Sequence, residues 1–267
     1  MLLLQQDLAK ATAMKITLVQ ADLHWADPAA NRSHLDGLLA PVGETDLVVL
    51  PEMFSTGFIT RPEGIAESDE GESLAWMRRT AAARGCAVAG SLAVREQATG
   101  RYRNRFYFVT PDGATVHYDK HHLFSHAGEN QTFSPGSTPV TVEFQGWRIL
   151  LQVCYDLRFP VFSRNRAACP YDLTLYVASW PEPRIAAWDA LLRARAIENQ
   201  CYVAGVNRVG SDPGNRYCGH STLIDPWGTP LSDCKKNEEC IIEKELKRSS
   251  LEAFRKQFPV LQDADNK

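Results

Sequence analysis

The sequence predicts an α/β (α+β) fold rich in sheet, and three observations lead there. Short apolar runs of strand length alternate with segments of helical periodicity along all 267 residues. Two pairs of strand-like runs are separated by turn residues, as hairpins are. Proline and glycine are spread as punctuation, and no linker, repeat or low-complexity tract interrupts the chain. One domain over 14–267 is therefore expected, with residues 1–13 read as an unstructured leader.

The elements follow in order. Lys15 to Gln20 and Leu47 to Leu50 read as strands, with a helix from Pro28 to Leu39 between them. Ser68 to Arg84 reads as a helix, because Leu74, Met77 and Ala81 share a face and Gly85 stands where a C-terminal cap belongs. Cys86 to Val94 is a strand. Arg105 to Thr110 and Thr115 to Asp119 flank Pro111-Asp112-Gly113 as one hairpin; Val140 to Phe144 and Trp147 to Val153 flank Gln145-Gly146 as another. Tyr171 to Ala178 is a strand, Arg184 to Asn199 a helix with Trp188, Leu191, Leu192 and Ala196 as its apolar stripe, and Cys201 to Asn207 a strand. His220 to Ile224 and Thr229 to Ser232 bracket a turn, and Glu239 to Glu243 and Ser249 to Phe258 close the chain as strand and helix.

Bulk properties exclude several function classes. Hydrophobic residues make up 44% and charged residues 23%, enough for a substantial core, and the net charge of -3 offers no basic face for nucleic acid or anionic membrane. The longest apolar runs are far too short to span a bilayer. Met1 to Leu4 lacks the basic and apolar regions of a signal peptide. The seven cysteines form no CxxC pair and no disulfide framework, which points to a reducing cytoplasm.

Three residues stand out chemically. Glu52 closes an apolar strand in Leu50-Pro51-Glu52-Met53, Cys154 closes another in Leu151-Gln152-Val153-Cys154, and Lys120 ends a hairpin strand in Tyr118-Asp119-Lys120-His121. Residues at the carboxyl ends of central strands tend to meet in one crevice. An ammonium lowers the pKa of a nearby thiol. A carboxylate can take the thiol proton and return it to a leaving amine, and the ammonium can stabilise an oxyanion. Each residue alone has a plainer reading: a solvated Glu, a surface Lys, a small core Cys. His117, His121, His122 and His126 include a His-x3-His spacing, but the Glu and third ligand of a zinc hydrolase are missing and a strand would split His121 from His122, so no metal is expected. Serine-hydrolase and nucleotide-binding signatures are absent as well.

Leu50-Pro51-Glu52-Met53-Phe54, Tyr118-Asp119-Lys120-His121-His122-Leu123-Phe124 and Val153-Cys154-Tyr155-Asp156-Leu157-Arg158-Phe159-Pro160 resemble, in that order, the signature blocks of the nitrilase (carbon–nitrogen hydrolase) superfamily. Ala178-Ser179-Trp180-Pro181 and Arg193 to Gln200 are similar to its later segments. The resemblance implies a four-layer αββα sandwich that forms a homodimer, no cofactor, and a small-molecule amide as partner. It implies Glu52 as base, Lys120 as oxyanion stabiliser with the Tyr155 N–H, and Cys154 as nucleophile. Glu129 is placed as a second glutamate orienting Lys120, the alternative being an exposed loop carboxylate. Trp180 is expected near the site. The stretch from Cys154 to Asn165 is similar to the omega-amidase branch, which cleaves monoamides such as 2-oxoglutaramate. An Arg four residues past the nucleophile also occurs in N-carbamoyl amino acid hydrolases, so Arg158 is expected either to bind a substrate carboxylate or to brace the loop through Asp156 or Glu129. A nitrile hydrolase and a catalytically silent binding protein are the remaining alternatives.

Overall fold

The computed structural model describes residues 13–265, so the expected leader falls outside them except for Ala13, which already pairs with Lys247. Two sheets lie face to face. The first is built from β1 (Ala13–Gln20), β2 (Leu47–Val49), β3 (Glu67–Ser68), β4 (Ala87–Arg95), β5 (Tyr102–Val109), β6 (Thr115–Asp119) and the late strand β15 (Cys240–Lys247), in the order β15-β1-β2-β4-β5-β6, with β3 on β4. The second contains β7 (Val140–Phe144), β8 (Trp147–Val153), β9 (Leu173–Ala178), β10 (Tyr202–Asn207), β13 (Thr222–Ile224) and β14 (Pro230–Asp233), in the order β14-β13-β10-β9-β8-β7. β11 (Val209–Ser211) and β12 (Arg216–Cys218) form a separate ribbon.

Strand alternation sorts the first sheet into two faces. Met14, Ile16, Leu18, Leu47, Val49, Phe106 and Phe108 point inward to meet Ile149, Leu151, Leu173, Leu175 and Val177 of the second sheet. Val19, Val48, Val88 and Tyr107 point outward, onto Leu35 and Leu39 of α1 (Pro28–Leu39) and Leu74, Trp76, Met77 and Ala81 of α2 (Glu72–Arg84). α3 (Glu129–Thr132) is a single turn. On the far side, α4 (Ile185–Asn199) buries Trp188, Leu192 and Ala196 against the second sheet. Gly205 on β10 permits this approach, since a Cβ there would come within 2.4 Å of Leu192 Cδ1. α5 (Arg248–Gln257) adds Leu251 and Phe254 to the same core. The result is the αββα sandwich.

Both sheets have a parallel centre, β1-β2-β4 and β8-β9-β10, with antiparallel neighbours outside. The carboxyl ends of β2, β6, β8 and β9 consequently share one rim. α2 begins at Glu72 rather than Ser68 because Glu67 and Ser68 pair with Val94 and Arg95, and the Glu67 carboxylate accepts the Ser73 N–H at the helix start. The cysteine expectation is corrected for one pair: Cys234 and Cys240, brought together where β14 turns into β15, are disulfide-bonded, with Cα atoms 5.8 Å apart.

Candidate active site

β2 stops because Pro51 has no N–H to continue the ladder. The chain turns at Met53, whose φ of 44° is left-handed, and β4 holds the turn through Ser91: Met53 N donates to its Oγ at 2.9 Å and Phe54 N to its carbonyl at 3.1 Å. Glu52 is thereby aimed inward with no exposure. Its Oε1 accepts from Lys120 Nζ at 2.9 Å and Asn104 Nδ2 at 2.8 Å, and its Oε2 accepts from Ser179 N at 2.8 Å. Lys120 follows β6 directly and is also buried. Its ammonium spans to Glu129 Oε2 at 2.9 Å. Asn104 Nδ2 bridges the two carboxylates, reaching Glu129 Oε1 at 2.9 Å, and Phe124 N donates to Glu129 Oε2 at 2.6 Å.

Glu52, Lys120 and Glu129 thus form one closed cluster, and the alternative of an exposed Glu129 is overturned by its complete burial. Two carboxylates and one ammonium leave the cluster one negative charge in excess. Burial alone would drive Lys120 down, but Glu129 and Glu52 outweigh it and hold the ammonium above its ordinary pKa. Burial raises Glu129, with Lys120 opposing and the Glu52 charge adding to the rise.

Cys154 is the first residue after β8 and sits at φ 45°, a left-handed conformation that costs a non-glycine residue about 1–3 kcal/mol and persists only where neighbours enforce it. Asp156 is the principal enforcer. Its buried carboxylate accepts from Val153 N at 3.0 Å and Tyr118 Oη at 2.7 Å through Oδ2, and from His122 N at 3.0 Å through Oδ1. His122 Nδ1 lies 2.8 Å from the same Oδ1. Asp156 therefore ties the Cys154 turn to the Lys120 loop. The thiol itself is pushed well above its usual range by burial first and the Glu52 charge second, with Lys120 opposing. The expectation that the ammonium would lower this pKa is corrected: desolvation and the carboxylate win.

Cys154 opens onto a cavity of about 110 Å³ whose walls include Phe58, Phe124, Tyr155, Trp180 and two arginines, Arg158 and Arg184. At about 10–15 Å³ per water, that is space for on the order of ten small groups. The Arg158 guanidinium lies 5.0 Å from the Trp180 ring centroid. It donates to neither Asp156 nor Glu129, whose recorded partners lie elsewhere, so the bracing alternative is not what the structure contains. Trp180 is fixed on both sides, its backbone N–H donating to Asn207 Oδ1 at 2.7 Å and its indole to the Arg184 carbonyl at 2.8 Å.

The histidines disperse differently than expected. The strand ends at Asp119, so His121 and His122 are not on opposite faces; they stack on Phe162 and Phe159 of one aromatic cluster. Among the described residues no group of three or more His, Cys, Asp or Glu is placed to hold a metal. Sequence reasoning missed Asn104 and Arg184, and read Asp156 only as a possible partner of Arg158. Asn104 was findable: two and four residues before the core-facing Phe106 and Phe108, it is a polar side chain on an apolar face.

The family model for carbon–nitrogen hydrolases matches residues 15–256. An Escherichia coli protein named omega-amidase YafV is 46% identical, over 94% of this chain and 97% of its own length. A Bacillus subtilis 2-oxoglutaramate amidase is 34% identical over 93% of this chain and 96% of its own. The crystal structure of XC1258 from Xanthomonas campestris, a CN-hydrolase superfamily protein with an arsenic adduct in its active site, superposes with a TM-score of 0.92 at 43% identity, covering 96% of this chain and 98% of that one. With the αββα fold and the buried polar cluster beside a strand-end cysteine, these matches show that this chain belongs to the carbon–nitrogen hydrolase family of the nitrilase superfamily, in its omega-amidase-like part.

Proposed function

We propose that this enzyme hydrolyses the terminal amide of a small carboxylate-bearing monoamide, of the 2-oxoglutaramate type, through a thioester on Cys154. The observation that carries the proposal is the buried Glu52–Lys120–Glu129 cluster set against Cys154 at the floor of a small cavity that also holds two arginines. The relatives' names support the substrate class.

The chemistry follows from the geometry. A thiol held protonated by burial suits a concerted step, in which Glu52 takes its proton as sulfur attacks the amide carbonyl. The carbon–sulfur bond forms and the carbonyl pair moves to oxygen. Lys120 donates to Glu52 Oε1 at 2.9 Å and to both Glu129 oxygens, at 2.9 and 3.2 Å, and exchanging the longest of these contacts gives that oxyanion a donor; the Tyr155 N–H, in the first turn after Cys154, supplies another. Collapse breaks the carbon–nitrogen bond, and ammonia departs with the proton from Glu52. Water then loses a proton to Glu52 and attacks the thioester, releasing the acid and restoring the thiol. Glu129 holds Lys120 charged and in place throughout. None of these steps uses a cofactor.

An ammonia-release screen over ω-monoamides, N-carbamoyl amino acids, nitriles and neutral amides tests the reading. Monoamides are expected to lead, and turnover confined to carbamoyl compounds or nitriles would overturn it. Within the monoamides, Arg158→Lys is expected to raise KM by about tenfold, the scale of one lost charge-assisted fork, and to affect a neutral amide of equal length far less. Equal losses on both would remove Arg158 from the binding site.

The proposal extends to a homodimer. Trp188 of α4 is buried and cannot serve an interface, but that helix also carries the exposed Ile197, which packs against Gly228, the residue after the exposed Trp227. Light scattering at micromolar concentration is expected to give twice the chain mass; a monomer refutes this. A cytoplasmic location rests on the five unbonded cysteines, and cell fractionation checks it. No helix among the described residues is long and apolar enough to cross a membrane.

A further inference from the structure

We infer that Arg184 is a specificity-determining residue: a second guanidinium, alongside Arg158, that selects substrates bearing a hydrogen-bond acceptor rather than an ammonium next to the carboxylate. The inference rests on the substrate class proposed above. Arg184 comes from a different part of the chain than Arg158, the turn Glu182–Arg184 that leads into α4. Its guanidinium lies 5.2 Å from the Phe124 ring centroid, as that of Arg158 lies 5.0 Å from Trp180. Both line the cavity that opens on Cys154, and each is shelved on an aromatic ring.

Neither guanidinium has a carboxylate within 4.0 Å among the described residues, whereas Arg105 and Arg195, both more buried, each have one at 2.9 Å or less. The obvious partner for Arg184 is Glu182 in its own turn. That carboxylate is instead bonded to Lys236 at 3.0 Å. The carboxylates deeper in the site are also engaged, Glu52 and Glu129 by Lys120 and Asn104. The cavity wall therefore presents two positive charges without a carboxylate partner to a small ligand.

One short carboxylate satisfies one fork. The second fork then needs an acceptor within the same few atoms, and a 2-oxo oxygen beside the carboxylate provides it. A 2-ammonium in that place would meet two guanidiniums inside a partly desolvated pocket, where like charges repel strongly. A site built to donate hydrogen bonds rejects a ligand that cannot accept them more sharply than an apolar pocket rejects a misfit. Arg184 thus separates 2-oxo monoamides from 2-amino ones such as glutamine.

The test compares 2-oxoglutaramate, glutamine and pentanamide on wild type, Arg184→Gln and Arg184→Lys. Arg184→Gln is expected to raise KM for 2-oxoglutaramate by about tenfold or more, the scale of a lost hydrogen bond to a charged group. The ratio of kcat/KM between 2-oxoglutaramate and glutamine should fall by a similar factor, with pentanamide much less affected. Arg184→Lys keeps the charge and loses the fork, so it should retain most of the discrimination against glutamine while KM for the 2-oxo substrate still rises. An active wild type whose ratio is the same in Arg184→Gln overturns the role of Arg184 alone. A wild type that releases no ammonia from 2-oxoglutaramate overturns this inference together with the substrate class beneath it.

Discussion

Cys154→Ala is expected to lower ammonia release by at least about a thousandfold, because the walls of the cavity carry no second thiol. Among the other unbonded cysteines, Cys86 and Cys201 are packed in the core and Cys169 and Cys218 lie outside the cavity walls. Conservative changes there should leave turnover largely intact. Mass spectrometry of wild type quenched during turnover should find the acyl adduct on Cys154. Glu52→Gln gives the sharper result. It removes one of the charges that raise the thiol, so the thiolate becomes easier to form and alkylation by iodoacetamide should reach its high-pH limb at a lower pH than in wild type. Yet kcat should drop by about 10²–10⁴, since the general base is gone. A variant with a more acidic thiol and unimpaired turnover would mean that Cys154 works as a preformed thiolate and that Glu52 is not its base.

Much of this site was legible in the chain because strand ends are legible. Pro51 stops one apolar run and Cys154 ends another, and the parallel centres of both sheets bring such ends to a single rim. Glu52, Lys120 and Cys154 stood out for that reason, whereas their roles and Glu129, which opens a one-turn helix, came from the resemblance of the surrounding motifs; the Pro28–Leu39 helix and the Gly85 cap were read from periodicity and cap chemistry. What escaped was set by contacts between distant segments. β3 is two residues long and exists only through β4. β11 and β12 draw on Val209 to Cys218, where glycine and polar residues leave no apolar alternation. The sign of the thiol shift was misjudged because proximity of an ammonium is readable from motifs, whereas the depth of burial that outweighs it depends on the closure of two sheets. Asp156 was read as a possible partner for Arg158, its near neighbour. Its actual partners include Tyr118 and His122, more than thirty residues upstream.

Lys120→Ala is expected to cost at least about a hundredfold in kcat, the scale for losing an oxyanion donor. Burial makes that variant ambiguous by itself. Removing the ammonium leaves Glu52 and Glu129 facing one another without exposure, and an uncompensated buried charge costs about 3–5 kcal/mol, or roughly 10 °C in Tm for a chain of this size. A fall in stability therefore does not argue against a catalytic role, and a fall in activity could arise from a disordered pocket. The double variant Lys120→Met/Glu129→Gln separates the two. It deletes one positive and one negative charge together, keeps the volume of both side chains, and leaves Glu52 with its bonds from Asn104 and the Ser179 N–H. Thermal unfolding should regain part of the loss, since two facing buried carboxylates are reduced to one, Glu52, which keeps those two hydrogen bonds. Turnover should stay at least about a hundredfold down, because an apolar chain cannot hold the oxyanion. If the double variant recovers both Tm and kcat, Lys120 serves only to neutralise its glutamates. If it recovers Tm alone, the ammonium acts on the reacting carbonyl, and the two carboxylates are what keep it charged and aimed there.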